Sequence, residues 1–370
     1  MNSGDVTRQG IRGERPPRQA LVGQGLDGAR PDGRSADGRA GGRRRRRGRK
    51  GEQLMVPEAE FSSYYGRPVI KAPAWSARDI AGYFFLGGLA GAGSVLAAGA
   101  ALTGRPRMAR AMKISSLAAV SGSTGLLIHD LGRPGRFANM LRVVKPTSPM
   151  SVGSWLLAAY GPAAGAAAVL DVWGRLPRLE RTATGAAALL GPAVAAYTAV
   201  LAADTAVPGW HDGYRQMPFV FTGSAAVAAS GMALAAAPVR ENGPARGAAV
   251  FGAAVEVAAT QTMERRMGLA AETYRTGTGG RYLRAATALS VAGAAGAALL
   301  GHRSRTAAAV SGAALLAASA CTRLGVFHAG IASAEDPRYT VVPQRERLER
   351  RRAREREQAD GAPGQEDTGS

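Results

Sequence analysis

The sequence predicts an all-α fold: a polytopic integral membrane bundle of eight transmembrane helices with disordered charged termini. Three observations predict it. Residues 1–54 and 334–370 are almost entirely polar or charged, so the averages over 370 residues, a formal net charge of +20 and a mean hydropathy of −0.07, conceal a middle built of Ala, Gly, Leu and Val. Within that middle, windows of about 20 residues with few charges recur, the length a helix needs to cross the hydrocarbon core. Short polar connections containing Gly and Pro separate them.

Taken in order, residues 1–54 carry the run RRRRRGRK from Arg43 to Lys50. No apolar stretch follows it, so it is neither a secretory nor a twin-arginine signal. A segment of this composition does not bury enough surface to fold. A nucleic-acid arm is the less favoured reading, and no nucleic-acid partner is expected. The run reads instead as a basic anchor, or as residues upstream of a start at Met55. The membrane domain is expected over 55–333. It opens with FSSYYGRPVIKAPAW (Phe61–Trp75), whose aromatics suit the membrane interface. Spans follow at about 80–102, 112–131, 152–172, 184–206, 219–237, 245–263, 284–300 and 306–327. The first is crowded with glycines, which let helices approach closely in lipid. Residues 334–370 form a charged tail whose ERLERRRAREREQ has helical i,i+4 Glu/Arg pairs but no apolar face.

Between the second and third spans, HDLGRPGRFANMLRVVKPTSPMSVGSW (His129–Trp155) is too charged to lie in hydrocarbon. Phe137, Met140, Leu141 and Val144 at helical spacing predict a short amphipathic helix at the interface. Eight spans put both termini on one side, and the Arg-rich tails place that side in the cytoplasm of a cell-membrane protein. The same parity gathers His129, Asp130, Asp204, His211, Arg323 and His328 at one mouth, with His302 at the other.

Ionisable residues inside spans are costly and commonly functional. Asp130, Asp204, Glu256 and Arg323 are therefore candidates, against the alternative that they pair structurally, Arg323 with Asp130 or Asp204. Tyr197 and Asp204 are seven residues apart and share a helix face. One cysteine, Cys321, leaves no set of thiolates for an iron-sulfur cluster or zinc site. The histidines sit at span ends or in loops, which disfavours a haem held by two imidazoles. No metal site is expected.

YYGRPVIKAPAW with GYFFLGGLAGAGS, HDLGRPGRFANMLRVVKPTSPMSVGSW, AAYTAVLAADTAVPGWHD and RLGVFHAGIASAEDPRYTVVPQR together resemble the NrfD/polysulfide reductase membrane-subunit (PsrC-like) family, in order from about Met55 to Arg345. The resemblance implies an eight-helix, haem-free membrane anchor of a respiratory oxidoreductase that binds menaquinone or menaquinol. Its electrons would be exchanged with a four-cluster ferredoxin-like iron-sulfur subunit, itself joined to a molybdopterin-containing catalytic subunit. Tyr197 matches the YT motif and becomes a donor to a quinone carbonyl. His129 and Asp130 of HDLGRP become proton acceptors beside the ring. Asp204, His211 and Arg323 complete the polar mouth, and Glu256 offers a proton path. Some relatives carry Asn and His near the start of span one, where this chain has Asp79 and Tyr83. Relatives dock their partner on the periplasmic face, whereas the tails here point to the cytoplasm. A rival reading is a proton or small-solute transporter using Glu256, Asp130 and Arg323; another is an anchor with a degenerate quinone pocket.

Overall fold

The computed structural model describes residues 6–7, 10–11, 69–71, 73, 75–132 and 134–360. Near the N-terminus it contains one antiparallel ladder, β1 (Val6–Thr7) against β2 (Gly10–Ile11). The rest of the expected disorder in 1–54, most of the Phe61–Trp75 entry and the tail after Asp360 lie outside the described residues.

The membrane unit is all helical. Its long helices are α1 (Ala77–Leu102), α2 (Pro106–Asp130), α4 (Pro149–Trp173), α5 (Pro177–Ala203), α7 (Met217–Ala236), α8 (Gly243–Arg266), α10 (Gly277–Leu299) and α11 (Arg305–Glu335). Short helices α3 (Pro134–Met140), α6 (Pro208–His211) and α9 (Glu272–Arg275) lie in the connections, and α12 (Arg338–Asp360) follows the last long helix. Proline marks many of the starts: Pro106, Pro149, Pro177, Pro208, Pro218 and Pro244 each occupy one of the first two helical positions. There the missing N–H costs nothing, because it would have no intrahelical partner.

Seven of the long helices are long and apolar enough to cross a membrane. The expectation of eight meets its exception in α8, which has the length but not the composition. Arg246, Glu256, Gln261 and the terminal Glu264-Arg265-Arg266 dilute it, and Glu256 is turned inward and buried. The chain is a multi-pass membrane protein. Leu189, Phe251, Leu299, Val310 and Phe219 are exposed on its flanks, the places where lipid takes the role of core.

Small residues set the helix crossings. At the α1–α5 contact, a Cβ on Gly91 would come 2.3 Å from the carbonyl oxygen of Gly191, and the reverse holds for Gly191. Any larger residue forces the two backbones apart. The two ends of the bundle are each tied by polar contacts. At one end Tyr274 donates to Gly209 O at 2.7 Å, the Gly209 N–H donates to Ser333 Oγ at 2.9 Å, and Arg338 pairs with Glu272 at 2.9 Å. At the other, Glu241 Oε2 accepts the Met108 N–H at 2.9 Å and Asn242 Nδ2 donates to Gly301 O at 2.9 Å.

Two expectations change. The C-terminal tail is helical from Arg338 to Asp360 rather than disordered, sustained by i,i+4 pairs such as Arg350–Glu346 and Arg351–Glu355. The interfacial helix α3 stops at Met140, so Val144 falls beyond it and is exposed.

Candidate functional site

Where α1, α2, α4 and α5 converge at the first of those ends, they enclose a narrow cavity of about 50 Å³. Trp75, Phe84, Leu157 and Leu201 make apolar walls. Met140 and Met150 come from the polar connection that holds α3, and Tyr83, Asp130, Ser154 and Tyr197 supply polar groups.

Tyr197 owes its position to a glycine. A Cβ on Gly153 would lie 1.7 Å from Cζ and 1.9 Å from the hydroxyl of Tyr197. The phenol therefore lies across the α4 backbone at a point only glycine leaves open. The Tyr83 side chain, buried on α1, interacts with that of Tyr197. Two phenols thus meet at the inner end of an otherwise apolar slot.

Asp130, the last residue of α2, lines the cavity beneath them. Its neighbour His129 points out: the side chain is 77% exposed, with Nδ1 3.1 Å from Oδ2 of Asp79. Asp79 is buried in the first turn of α1, where its N–H donates to Ser76 Oγ at 3.4 Å and caps the helix. A row from cavity to solvent results, through Asp130, Asp79 and His129. Asp130 feels the charge of Asp79, and the imidazole is exposed.

Tyr197 and Asp130 are thus brought together, with His129 beside them; the other candidates lie elsewhere. Asp204 is the C-cap of α5 and exposed, because the helix ends at Ala203 and the shared face with Tyr197 ends with it. His211 is exposed at the end of α6, its Nδ1 3.4 Å from Ala203 O and its ring stacked on Tyr214 at 5.9 Å. Next to it, burial pushes the Asp212 carboxyl above the usual range, opposed by Arg347 and, less, by the neighbouring His211. The α6 turn is held by Trp210, which stacks on Trp75 at 5.3 Å and donates to Val326 O at 2.8 Å.

Arg323 sits deep in the bundle, since α11 continues to Glu335, beyond its expected end at 327. Its guanidinium lies 3.8 Å from the centre of the Phe221 ring, and Nη2 donates to Phe221 O at 2.8 Å. It pairs with neither Asp130 nor Asp204. The charge it faces is Glu256. Glu256 accepts hydrogen bonds from Thr322 Oγ1 at 2.6 Å and Ser290 Oγ at 3.1 Å, and so joins α8, α10 and α11. This is a second polar cluster, on helices separate from those around the cavity.

Gly153 is the residue that sequence reasoning passed over, and Tyr83 entered it only as a departure from the relatives. The spacing of Asp79 and Tyr83, i and i+4 at the entry of the first span, puts both on one helix face. Nothing local marks Gly153, because its constraint comes from a side chain on another helix.

Comparison with known proteins agrees with this architecture. Residues 73–247, which contain all four helices around the cavity, match the family described as polysulphide reductase, NrfD. A search of curated proteins found no match. The chain is thus similar, over residues 73–247, to the NrfD family, the membrane subunits of respiratory oxidoreductases.

Proposed function

We propose that this protein is the membrane-anchor, quinone- and quinol-binding subunit of a respiratory oxidoreductase, exchanging electrons between the menaquinone pool and an iron-sulfur partner. The observation that carries the reading is the cavity itself: an apolar slot with two phenols at its inner end and a carboxyl group at its rim. A quinone needs donors at its carbonyls, a proton acceptor within reach when the quinol is oxidised, and an apolar path for its isoprenoid tail. Tyr197 and Tyr83 supply the first, Asp130 the second, and Phe84, Leu157 and Leu201 the third. Menaquinone is bound as substrate. Tyr83, near the start of the first span, where some relatives carry Asn and His, serves as the second hydroxyl donor.

Oxidation of one quinol yields two electrons and two protons. The single cysteine of this chain offers no cluster, so the electrons pass to a four-cluster ferredoxin-like subunit, and from it to a molybdopterin-containing catalytic subunit. The partner docks on the face that carries α3, α6, α9 and α12, the one nearest the cavity. In this reading α8 also crosses the cell membrane, giving eight spans and both termini on the cytoplasmic side. It begins at the end tied by Glu241 and finishes at the end where Glu264 pairs with Arg275 at 2.8 Å. Asp204, His211, Arg323 and Glu256 lie outside the cavity and act, if on the quinone, only through the bundle around it.

Tyr197→Phe tests the site. The variant is expected to assemble with its partners and to lose tenfold or more of quinol-linked turnover. Unchanged kinetics with a menaquinol analogue would rule the site out.

A further inference from the structure

One wall of the cavity is built from outside the four helices that enclose it. Trp75 stands two residues before α1, and its indole lines the cavity beside Ile80 and Tyr83. The local sequence begins this arrangement. Ser76 caps α1, so Trp75 precedes the cap and Ile80 is the fourth helical residue, the two positions of a hydrophobic staple, which fixes the angle at which the chain enters the helix. A staple fixes the chain but not the plane of the ring. That plane is set by Trp210, which stacks on Trp75 with ring centres 5.3 Å apart and planes 21° from parallel. One face of the Trp75 indole is thereby taken, and its other face and edge are what it offers the cavity.

Trp210 is itself held from the other half of the bundle. It is buried in the α6 turn, its Nε1 donates to Val326 O at 2.8 Å, and its ring centre lies 6.0 Å from that of Phe327, both residues of α11. A Cβ on Gly330 would come 1.9 Å from Cε2 and from Nε1 of the indole, so the ring crosses α11 at a point only glycine leaves open. The backbone of the turn is fixed as well. The Gly209 N–H donates to Ser333 Oγ of α11 at 2.9 Å, and the Gly209 carbonyl accepts from Tyr274 of α9 at 2.7 Å. Val326, Gly330, Ser333 and Tyr274 all stand outside the lining of the cavity. A buried indole needs a partner for its one N–H and neighbours for both faces, and here helices that never reach the cavity supply them.

We infer that Trp75 is the stacking platform for the quinone ring, and that Trp210, clamped on α11 over Gly330, is the positioning residue that sets the plane of that platform. The inference rests on the quinone reading of the cavity for its ligand. Aromatic rings gain by offset stacking beyond the area they bury. A naphthoquinone has two fused rings to lay against an indole and a benzoquinone has one, so the platform favours the two-ring quinone. Trp210 touches no ligand and acts through Trp75. An indole held in one orientation before the ligand arrives loses no rotamer freedom on binding, and affinity rises by that saving.

Calorimetric titration of the detergent-purified full chain with a short-chain naphthoquinone and a short-chain benzoquinone tests both parts. Trp75→Leu is expected to weaken the naphthoquinone about tenfold and the benzoquinone no more than about threefold, and Trp75→Phe to recover most of the loss. Equal weakening of the two quinones by Trp75→Leu, or none, overturns the platform and leaves the quinone site standing. Gly330→Ala keeps Trp75 and displaces Trp210, and it is expected to lower the same naphthoquinone preference. Trp210→Phe fits beside Gly330 without pressing on α11, gives up the bond to Val326, and serves if Gly330→Ala does not fold. Circular dichroism reads the stacked indole pair without any ligand: its exciton couplet is expected in the unaltered protein, absent from Trp75→Leu and diminished in Gly330→Ala. A folded Gly330→Ala or Trp210→Phe protein with the unaltered preference overturns the positioning role of Trp210. Binding of neither quinone by the unaltered protein, with the couplet present, overturns the quinone reading and the platform with it.

Discussion

Gly153 determines where the Tyr197 hydroxyl is. Its missing side chain leaves the space in which the phenol lies, and a methyl group there would overlap three ring or hydroxyl atoms at 1.7–2.3 Å. Gly153→Ala is therefore expected to leave the helices in place and to displace the ring, weakening menaquinone-analogue binding by about tenfold, or ~1.4 kcal/mol. A fluorescence-quench titration of the detergent-purified protein reads this directly, and equal affinities would show that Tyr197 does not contact the ligand. The histidine and aspartate of HDLGRP divide their work in a way adjacency in sequence does not show. A helix turns by about 100° per residue, so Asp130 faces the cavity and His129 faces solvent. His129→Gln is accordingly expected to change the pH profile of turnover more than the affinity for quinone. A shifted binding constant with an unshifted profile would assign His129 to binding.

Helix ends in this protein are satisfied across the bundle as much as within a helix. The residue before α2, Arg105, makes no side-chain cap, and the orphan N–H of Met108 is accepted instead by Glu241 from the short turn before α8. A carboxylate at a helix N-terminus also meets the positive end of the helix dipole. Glu241→Ala is expected to destabilise the protein by about 1 kcal/mol, seen as a lower unfolding temperature in detergent, with quinone affinity intact. The helical tail illustrates the reverse case. Nothing in Arg338–Asp360 offers an apolar stripe, yet its alternating Arg and Glu close i,i+4 pairs at 3.1 and 2.9 Å. Exposed pairs of this sort are screened by salt. Raising ionic strength from about 0.05 to 1 M is expected to speed amide exchange in this helix and to leave α1 and α11 unchanged.

For the whole molecule, parity of the crossings is the strongest constraint. The ends of the bundle are polar in different ways: one carries the cavity, the α6 turn and α12, the other the ion pairs of Lys113 with Asp171 and Glu180 and the Glu241 cap. In a Cys321→Ser background, which removes the one native thiol, Arg142→Cys and His302→Cys are expected to label with a membrane-impermeant thiol reagent from opposite sides of sealed vesicles. Labelling from the same side would mean that α8 does not cross. Either result also fixes which compartment the cavity faces.

Much of this was legible in the chain. Window hydropathy located the long helices, because a segment surrounded by lipid must be apolar wherever it is not paired. The YT and HDLGRP stretches contain Tyr197 and Asp130, which both line the cavity. Three things were decided only by tertiary structure. Arg323 was expected at the mouth and lies inside, since helix length beyond the apolar window depends on what α11 packs against. Asp204 and His211 share the end of the cavity but not its lining, since direction within a turn is set by neighbours such as Trp210. Gly153, Tyr83 and Lys113 have their surroundings from other helices, and a sequence carries no local trace of a contact made between segments tens of residues apart. Composition thus determined that the chain enters a membrane and roughly where; the packing of α1, α2, α4 and α5 decided which few of its polar groups face one another, because only there do separate helices exclude lipid and water together.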